Sequence, residues 1–297
     1  MRFVDASHGV ISLPSDSFSG VGRLFVTADA GRTWNEVSTA GHLGDLVTVG
    51  GRLWASVVPL DCSEGSACPT SIATSADDGR TWSTAPGRLP DAGAQILPLS
   101  DNVALAASTR VWRTTDAGVS WHELADPCPT DVPRAGSRTV RVELAGGPQG
   151  LWAACEIVIL PTAYVDPIAT LMYRSADGGT TWQETRSAPP AQYWPTAGPS
   201  PDRAITALDA NTAWLSLSEA TGPGSSNHPE VVATVDGGET WHIVFASTAP
   251  VSSAAVQNFL VTFGDTHHGW VVGQNPYRTQ DGGMHWTLRP LASPSGR

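Results

Sequence analysis

The sequence predicts an all-β protein, a single β-propeller of four-stranded antiparallel blades, six in number. Three observations predict it. The motif Ser/Thr-x-Asp-x-Gly-x-Thr/Ser-Trp occurs six times in 297 residues. Successive motif aspartates stand 48, 39, 61, 59 and 45 residues apart, around the period of a four-stranded blade. Each interval reads as three apolar runs before the motif and a fourth that starts at its Trp, with helical periodicity absent throughout.

The six motif copies are TADAGRTW (Thr27 to Trp34), SADDGRTW (Ser75 to Trp82), TTDAGVSW (Thr114 to Trp121), SADGGTTW (Ser175 to Trp182), TVDGGETW (Thr234 to Trp241) and TQDGGMHW (Thr279 to Trp286). Only the last departs, with His285 at the seventh position. This is the chemistry of a tight hairpin turn. The Asp side chain accepts from backbone N–H groups two residues on, and the Gly supplies positive φ. The Trp closes the unit with a large apolar face. Asp29, Asp77, Asp116, Asp177, Asp236 and Asp281 are therefore read as structural.

Taken in order, FVDASHGVISL, LVTVGGRLWASVV, LPLSDNVALAAS, VELAGGPQGLWAAC, ALDANTAWLSLS and VTFGDTHHGWVVG each give two apolar runs around a short turn. They supply the first and second strands of blades at about 1–40, 41–90, 91–126, 138–188, 203–247 and 255–290. The propeller is thus one domain over residues 1–290, and 291–297 is an expected disordered tail. A seventh blade stays possible but would need about 40 further residues. The longest gaps are filled by loop-like text, DPCPTDVPRAGSR and SAPPAQYWPTAGPSPDR.

The net charge of −11 argues against nucleic acid and anionic membrane surfaces. No apolar run is long enough for membrane insertion. All 17 basic residues are arginine, which excludes Schiff-base lysine chemistry. The four cysteines allow three pairings. Cys62 with Cys68 across a short polar loop, and Cys128 with Cys155, is the favoured set. Disulfides imply an extracytoplasmic setting, secreted or in the cell envelope. Residues 1–13 read as a strand rather than a leader, so the chain is expected to be a trimmed mature domain, and a monomer.

The motif resembles the Asp box, or BNR repeat, of sialidases, sortilin-type receptors, xyloglucan-degrading enzymes and photosystem II assembly/stability factor propellers. The resemblance covers nearly the whole chain. FVDASHGVIS and FGDTHHGWVVG are most similar to the photosystem II factor group, which implies a non-catalytic binding scaffold. A sialidase-like activity would imply an arginine triad, a Tyr/Glu pair and an acid/base Asp. The nearest echo of the sialidase Arg-Ile-Pro motif is Arg88-Leu89-Pro90, after the second motif copy rather than before the first.

Motif turns share one face with the turns between first and second strands. The long insertions fall on the opposite face, where binding loops are expected to converge. Candidate ligand-binding residues there are Tyr164, Tyr193, Trp194, Arg203, His228 and Tyr277, with Tyr193–Trp194 a possible stacking platform. The expected partner is a protein or a glycan. The alternative is a carbohydrate-active hydrolase using Glu156, Asp166 and Glu230. No cofactor and no metal are expected; the His267–His268 pair has no third ligand nearby in sequence. Arg113, Arg174 and Arg278 recur at one blade position and are read as structural partners of neighbouring turns.

Overall fold

A computed structural model describes residues 2–3, 7–13, 23–38, 41–43, 46–59, 70–89, 94–128, 137–159, 167–186, 205–219, 228–247, 260–272 and 276–289. These residues form β-strands and turns, and the strands make six antiparallel sheets, the blades of a six-bladed β-propeller. The chain divides into two compact units, Met1–Leu124 and Ala125–Arg297, with three blades in each.

In the first unit, blade 1 pairs β1 (Arg2–Phe3), β2 (Gly9–Leu13), β3 (Arg23–Thr27) and β4 (Asn35–Val37) in sequence order. Blade 2 has an inner strand in two pieces, β5 (Gly41–Leu43) and β6 (Val47–Val49), both paired with β7 (Arg52–Pro59). Next come β8 (Ser71–Ser75) and β9 (Ser83–Arg88). Blade 3 is β10 (Gln95–Pro98), β11 (Ala104–Ala107), β12 (Val111–Thr114) and β13 (His122–Glu123).

In the second unit, blade 4 is β14 (Ser137–Gly147), β15 (Gly150–Ile159), β16 (Pro167–Ser175) and β17 (Gln183–Glu184). Blade 5 is β18 (Ile205–Ala207), β19 (Ala213–Glu219), β20 (His228–Thr234) and β21 (His242–Ala246). Blade 6 is β22 (Leu260–Phe263), β23 (Gly269–Val272), β24 (Tyr277–Thr279) and β25 (Thr287–Leu288).

Blades stack through apolar layers because alternate residues of each strand point to opposite sides of its sheet. Val10, Leu24 and Val26 of blade 1 meet Leu53 and Ala55 of blade 2. Trp54 and Ile72 of blade 2 meet Ile96, Ala104 and Ala106 of blade 3. In the second unit, Ala145, Trp152, Ala154 and Met172 of blade 4 meet Ile205, Ala213, Leu215 and Val232 of blade 5. Trp214 and Val231 of blade 5 meet Val261, Phe263 and Val271 of blade 6, with Trp214 stacked on Phe263 at 3.8 Å.

Trp54, Trp152 and Trp214 occupy one register position, each beside the residue paired with the first residue of its blade's motif. All three are fully buried, and truncating such a side chain costs about 3–5 kcal/mol. Trp152 also donates its indole N–H to the Asp209 carbonyl of the next blade at 2.8 Å.

Blade 4 is the longest. Its hairpin β14–β15 pairs continuously from Gly147↔Gly150 to Ser137↔Ile159, interrupted by one extra residue, Val140. A second irregularity places Ile168 as an extra residue in β16. Both lie at the end of the blade away from the motif turn. The Cys128–Cys155 disulfide ties the segment entering blade 4 to the middle of β15, with Cα atoms 5.7 Å apart. Cys62 and Cys68 lie outside the described residues.

Candidate functional site

The motif turns concentrate side-chain hydrogen bonds at one end of every blade. Each joins the third and fourth strands of its blade, and all six carry one hydrogen-bond pattern. In the first, the Thr27 hydroxyl donates to Asp29 Oδ1 at 2.8 Å and accepts from the Gly31 N–H at 2.9 Å. The Thr33 N–H donates to Asp29 Oδ1 at 2.8 Å, and the Thr33 hydroxyl to Oδ2 at 2.6 Å. The same bonds recur in the other turns. The side-chain acceptor of the Asp thus reaches the N–H four residues on, not two. The first hydroxyl serves the Gly N–H. In the sixth turn His285 Nδ1 takes the place of the hydroxyl, 2.7 Å from Asp281 Oδ2.

These bonds stabilise the carboxylate form. Asp29, Asp116 and Asp236 are held down to about 2, first by the hydroxyl of Thr33, Ser120 or Thr240. Asp177 and Asp281 are also held down to about 2, first by a backbone N–H. Asp77 is lowered by Thr81. A carboxylate so thoroughly occupied is a poor general acid or base near neutral pH.

The turns also fasten blades together. The motif Gly lies against the preceding blade, so that a Cβ on Gly79 would fall 2.7 Å from Val10 Cγ2. A Cβ on Gly238 would fall 2.6 Å from Thr185 Cγ2. Trp82 and Trp121 pack into the layer behind them, as do Trp241 and Trp286. In blades 1, 3, 5 and 6 the residue before the motif Gly bonds to the turn between the first and second strands. Ala30 N–H reaches Ser7 O, Ala117 reaches Asn102, Gly237 reaches Asn211 and Gly282 reaches His267, all at 2.9 Å.

His267 and His268 sit in such a turn. Asp265 Oδ1 accepts both of their N–H groups at 2.7 Å, and Asp265 Oδ2 lies 2.8 Å from His268 Nδ1. Among the described residues no group of three or more His, Cys, Asp or Glu side chains could hold a metal ion. Arg174 lies with its guanidinium against Gly237 of the next blade's motif, while Arg278 lies over the Trp270 ring, 5.8 Å from its centroid.

The opposite blade ends differ. In blade 4, Trp152 and Ala154 face blade 5, so strand alternation places Glu156 on that same side of β15. In β14, Glu143 pairs with Ala154, Arg141 with Glu156 and Arg138 with Val158. All three therefore share that side. In blade 5, Val232 faces blade 4, and Glu230 and His228 follow on the same side of β20. Glu219 pairs with His228 and shares it. By register these sides thus hold Glu143, Arg141, Arg138 and Glu156 on β14 and β15, and Glu219, Glu230 and His228 on β19 and β20. Glu143 is buried, 3% exposed, and Glu230 is half-buried.

Set against known proteins, the chain matches no family model and no curated protein. Solved structures do resemble it. One is YCF48 bound to a D1 peptide, with TM-score 0.54, 16% identity, and 96% of this chain and 78% of that one covered. Another is a GH74 xyloglucanase from Xanthomonas campestris, with TM-score 0.57, 16% identity, and 94% of this chain covered. This chain spans only 44% of that enzyme. A third is a PL25 ulvan lyase, with TM-score 0.60, 8% identity, and 97% and 83% covered. The likeness is one of fold.

Of the residues read from sequence, Glu156, Glu230 and His228 come to facing sides of neighbouring blades. Tyr277 instead packs edge-on against Phe245, centroids 5.0 Å apart. Tyr164, Asp166, Tyr193, Trp194 and Arg203 lie outside the described residues. Sequence reading missed Glu143, Arg141, Arg138 and Glu219. The one available signal was Glu143 within the apolar run Val142–Ala145, an expensive place for a carboxylate.

Proposed function

We propose that this chain is an Asp-box propeller that works outside the cytoplasm as a binding scaffold. It engages a protein or a glycan through the second unit, at the blade ends away from the motif turns. One observation carries the reading. The motif turns use their polar groups internally, whereas the far ends of blades 4 and 5 bear charged residues on facing sides. Tyr193, Trp194 and Arg203 belong to the segment joining these two blades and Tyr164 to the segment joining β15 and β16, and they are assigned to the same binding face. The Cys128–Cys155 disulfide is consistent with an oxidising compartment. A fold neighbour solved with a bound peptide is consistent with a binding role.

A hydrolase is the second reading, favoured by the placement of Glu156 and Glu230 on opposing walls, with Asp166 as a further acid. The two are separated by turnover on fluorogenic glycosides, an α-sialoside among them, with Glu156→Gln, Asp166→Asn and Glu230→Gln alongside. The scaffold reading expects no turnover and retention of a partner by the immobilised chain. Robust turnover abolished by any one variant replaces it with the hydrolase.

A further inference from the structure

We infer that Asp177 is a site of spontaneous backbone modification, at which the folded chain converts to isoaspartate through a succinimide closed with Gly178. The inference is independent of what the protein binds.

The reaction needs a side-chain carboxyl and the nitrogen of the next residue. The Gly178 nitrogen attacks Asp177 Cγ, and a C–N bond forms. One carboxyl oxygen leaves as water, carrying the proton of the carboxylic acid and that of the nitrogen. A second water then opens the five-membered ring. Attack at Cγ restores aspartate, and attack at the main-chain carbonyl leaves isoaspartate. Glycine in the second position leaves the nitrogen unshielded by a Cβ. Asp-Gly occurs four times, at Asp78-Gly79, Asp177-Gly178, Asp236-Gly237 and Asp281-Gly282, and Asn-Gly does not occur.

The fold separates these four by what the nitrogen is doing. The Gly79 N–H donates to Ser75 Oγ at 2.9 Å. The Gly237 N–H donates to the Asn211 carbonyl and the Gly282 N–H to the His267 carbonyl, both at 2.9 Å. Among the described residues nothing accepts the Gly178 N–H. The cause is the length of a turn. Between their first and second strands, blades 1, 3, 5 and 6 carry five residues, 4–8, 99–103, 208–212 and 264–268. The fourth of each five presents its carbonyl to the motif turn. Blade 4 has only Pro148 and Gln149 between Gly147 and Gly150, so no residue stands at that place.

The carboxylates do not make the distinction. Asp177, Asp236 and Asp281 each accept from the first motif residue and from the N–H four residues on. Each must give up the same bonds to reach the neighbouring nitrogen, and only at Gly178 is that nitrogen already released. Asp177 is exposed and Gly178 half-buried, whereas Gly237 is buried. Conversion lengthens the main chain by one carbon and withdraws from Thr181 the acceptor that closes the turn between β16 and β17.

The test is to hold the full chain for several weeks at neutral pH, folded and in denaturant, and then to map isoaspartate by tryptic digestion and electron-transfer fragmentation. Cleavage after Arg174 and Arg186 releases residues 175–186, in which Asp177 is the sole aspartate. In the folded chain isoaspartate accumulates at 177 about fivefold faster, or more, than at 78, 236 or 281, the factor contributed by one hydrogen bond. In denaturant the four rates converge. Gly178→Ala removes the excess at 177, and the turn accommodates it, since Ala30 and Ala117 hold the same position in blades 1 and 3. Amide hydrogen exchange is the second readout, with Gly178 exchanging faster than Gly237 and Gly282. Equal rates in the folded chain, a different leading site, no isoaspartate at all, or Gly178 as protected as Gly237 overturns the inference. A ranking that survives denaturation also overturns it, because the sequence and not the fold would then set the order.

Discussion

The motif turns of the two units make the same hydrogen bonds from different residues. Before the motif Gly, the first unit has Ala30, Asp78 and Ala117, at φ 61°, 59° and 57°. The second unit has Gly178, Gly237 and Gly282, at φ 72°, 72° and 74°. An L-residue in that left-handed region costs about 1–2 kcal/mol. The turn nevertheless closes identically, because several hydrogen bonds of about 1 kcal/mol each outweigh the strain. The conformation belongs to the Asp and its two hydroxyl neighbours. Glycine makes it less costly without specifying it.

The comparison can be broken most forcefully at the second position of positive φ, which is Gly in both units. Gly238→Ala combines a strained backbone at φ 80° with a collision against Thr185, and a loss of about 2–3 kcal/mol is expected. Chemical denaturation measures it, and a neutral result would mean that the turn bends freely. Thr234→Val is next. It leaves the buried Gly238 N–H without its acceptor, at about 1–3 kcal/mol.

Exchange at the differing position sharpens the contrast. Ala117→Gly should gain about 0.5–1 kcal/mol and Gly178→Ala should lose about 1 kcal/mol. Equal and opposite midpoint shifts support strain as the sole difference between the units. Losses in both variants would mean that the alanine methyl contributes packing.

Acid provides a further probe. Asp29, Asp116, Asp177, Asp236 and Asp281 are held down to about 2 in the folded chain against an ordinary 3.8, and Asp77 is lowered as well. Their contribution is therefore present above about pH 4 and is lost as pH falls through the folded value. Asp116→Asn should lower the midpoint at pH 7 and flatten the decline between pH 4 and pH 2. A parallel decline would assign acid unfolding to other groups. The smallest effect belongs to His285→Thr, which restores the common hydroxyl at an exposed site. It should change stability by less than about 0.5 kcal/mol.

Much of this architecture is legible in the chain because the motif is local. Its eight residues contain both partners of nearly every bond that defines the turn, so reading Asp29 or Asp236 as structural required nothing from elsewhere. The pairing of Cys128 with Cys155 was also within reach, given few cysteines. The array between blades 4 and 5 was not. The register of Arg138 and Arg141 depends on one extra residue at Val140, and whether β15 and β20 turn the same sides toward one another depends on the packing of one sheet on another. Neither can be read by counting along a strand. The left-handed Ala30, Asp78 and Ala117 were missed for a related reason, since residue preference alone argues against them.

The Cys128–Cys155 bond also changes what a broken chain would look like. It closes a covalent loop containing residues 129 to 154, which include all of β14 and the first half of β15. A single cut within that loop would divide the polypeptide without releasing either part. The pieces would travel together on a denaturing gel until a reductant was added, so an intact band under oxidising conditions is no proof of an intact backbone.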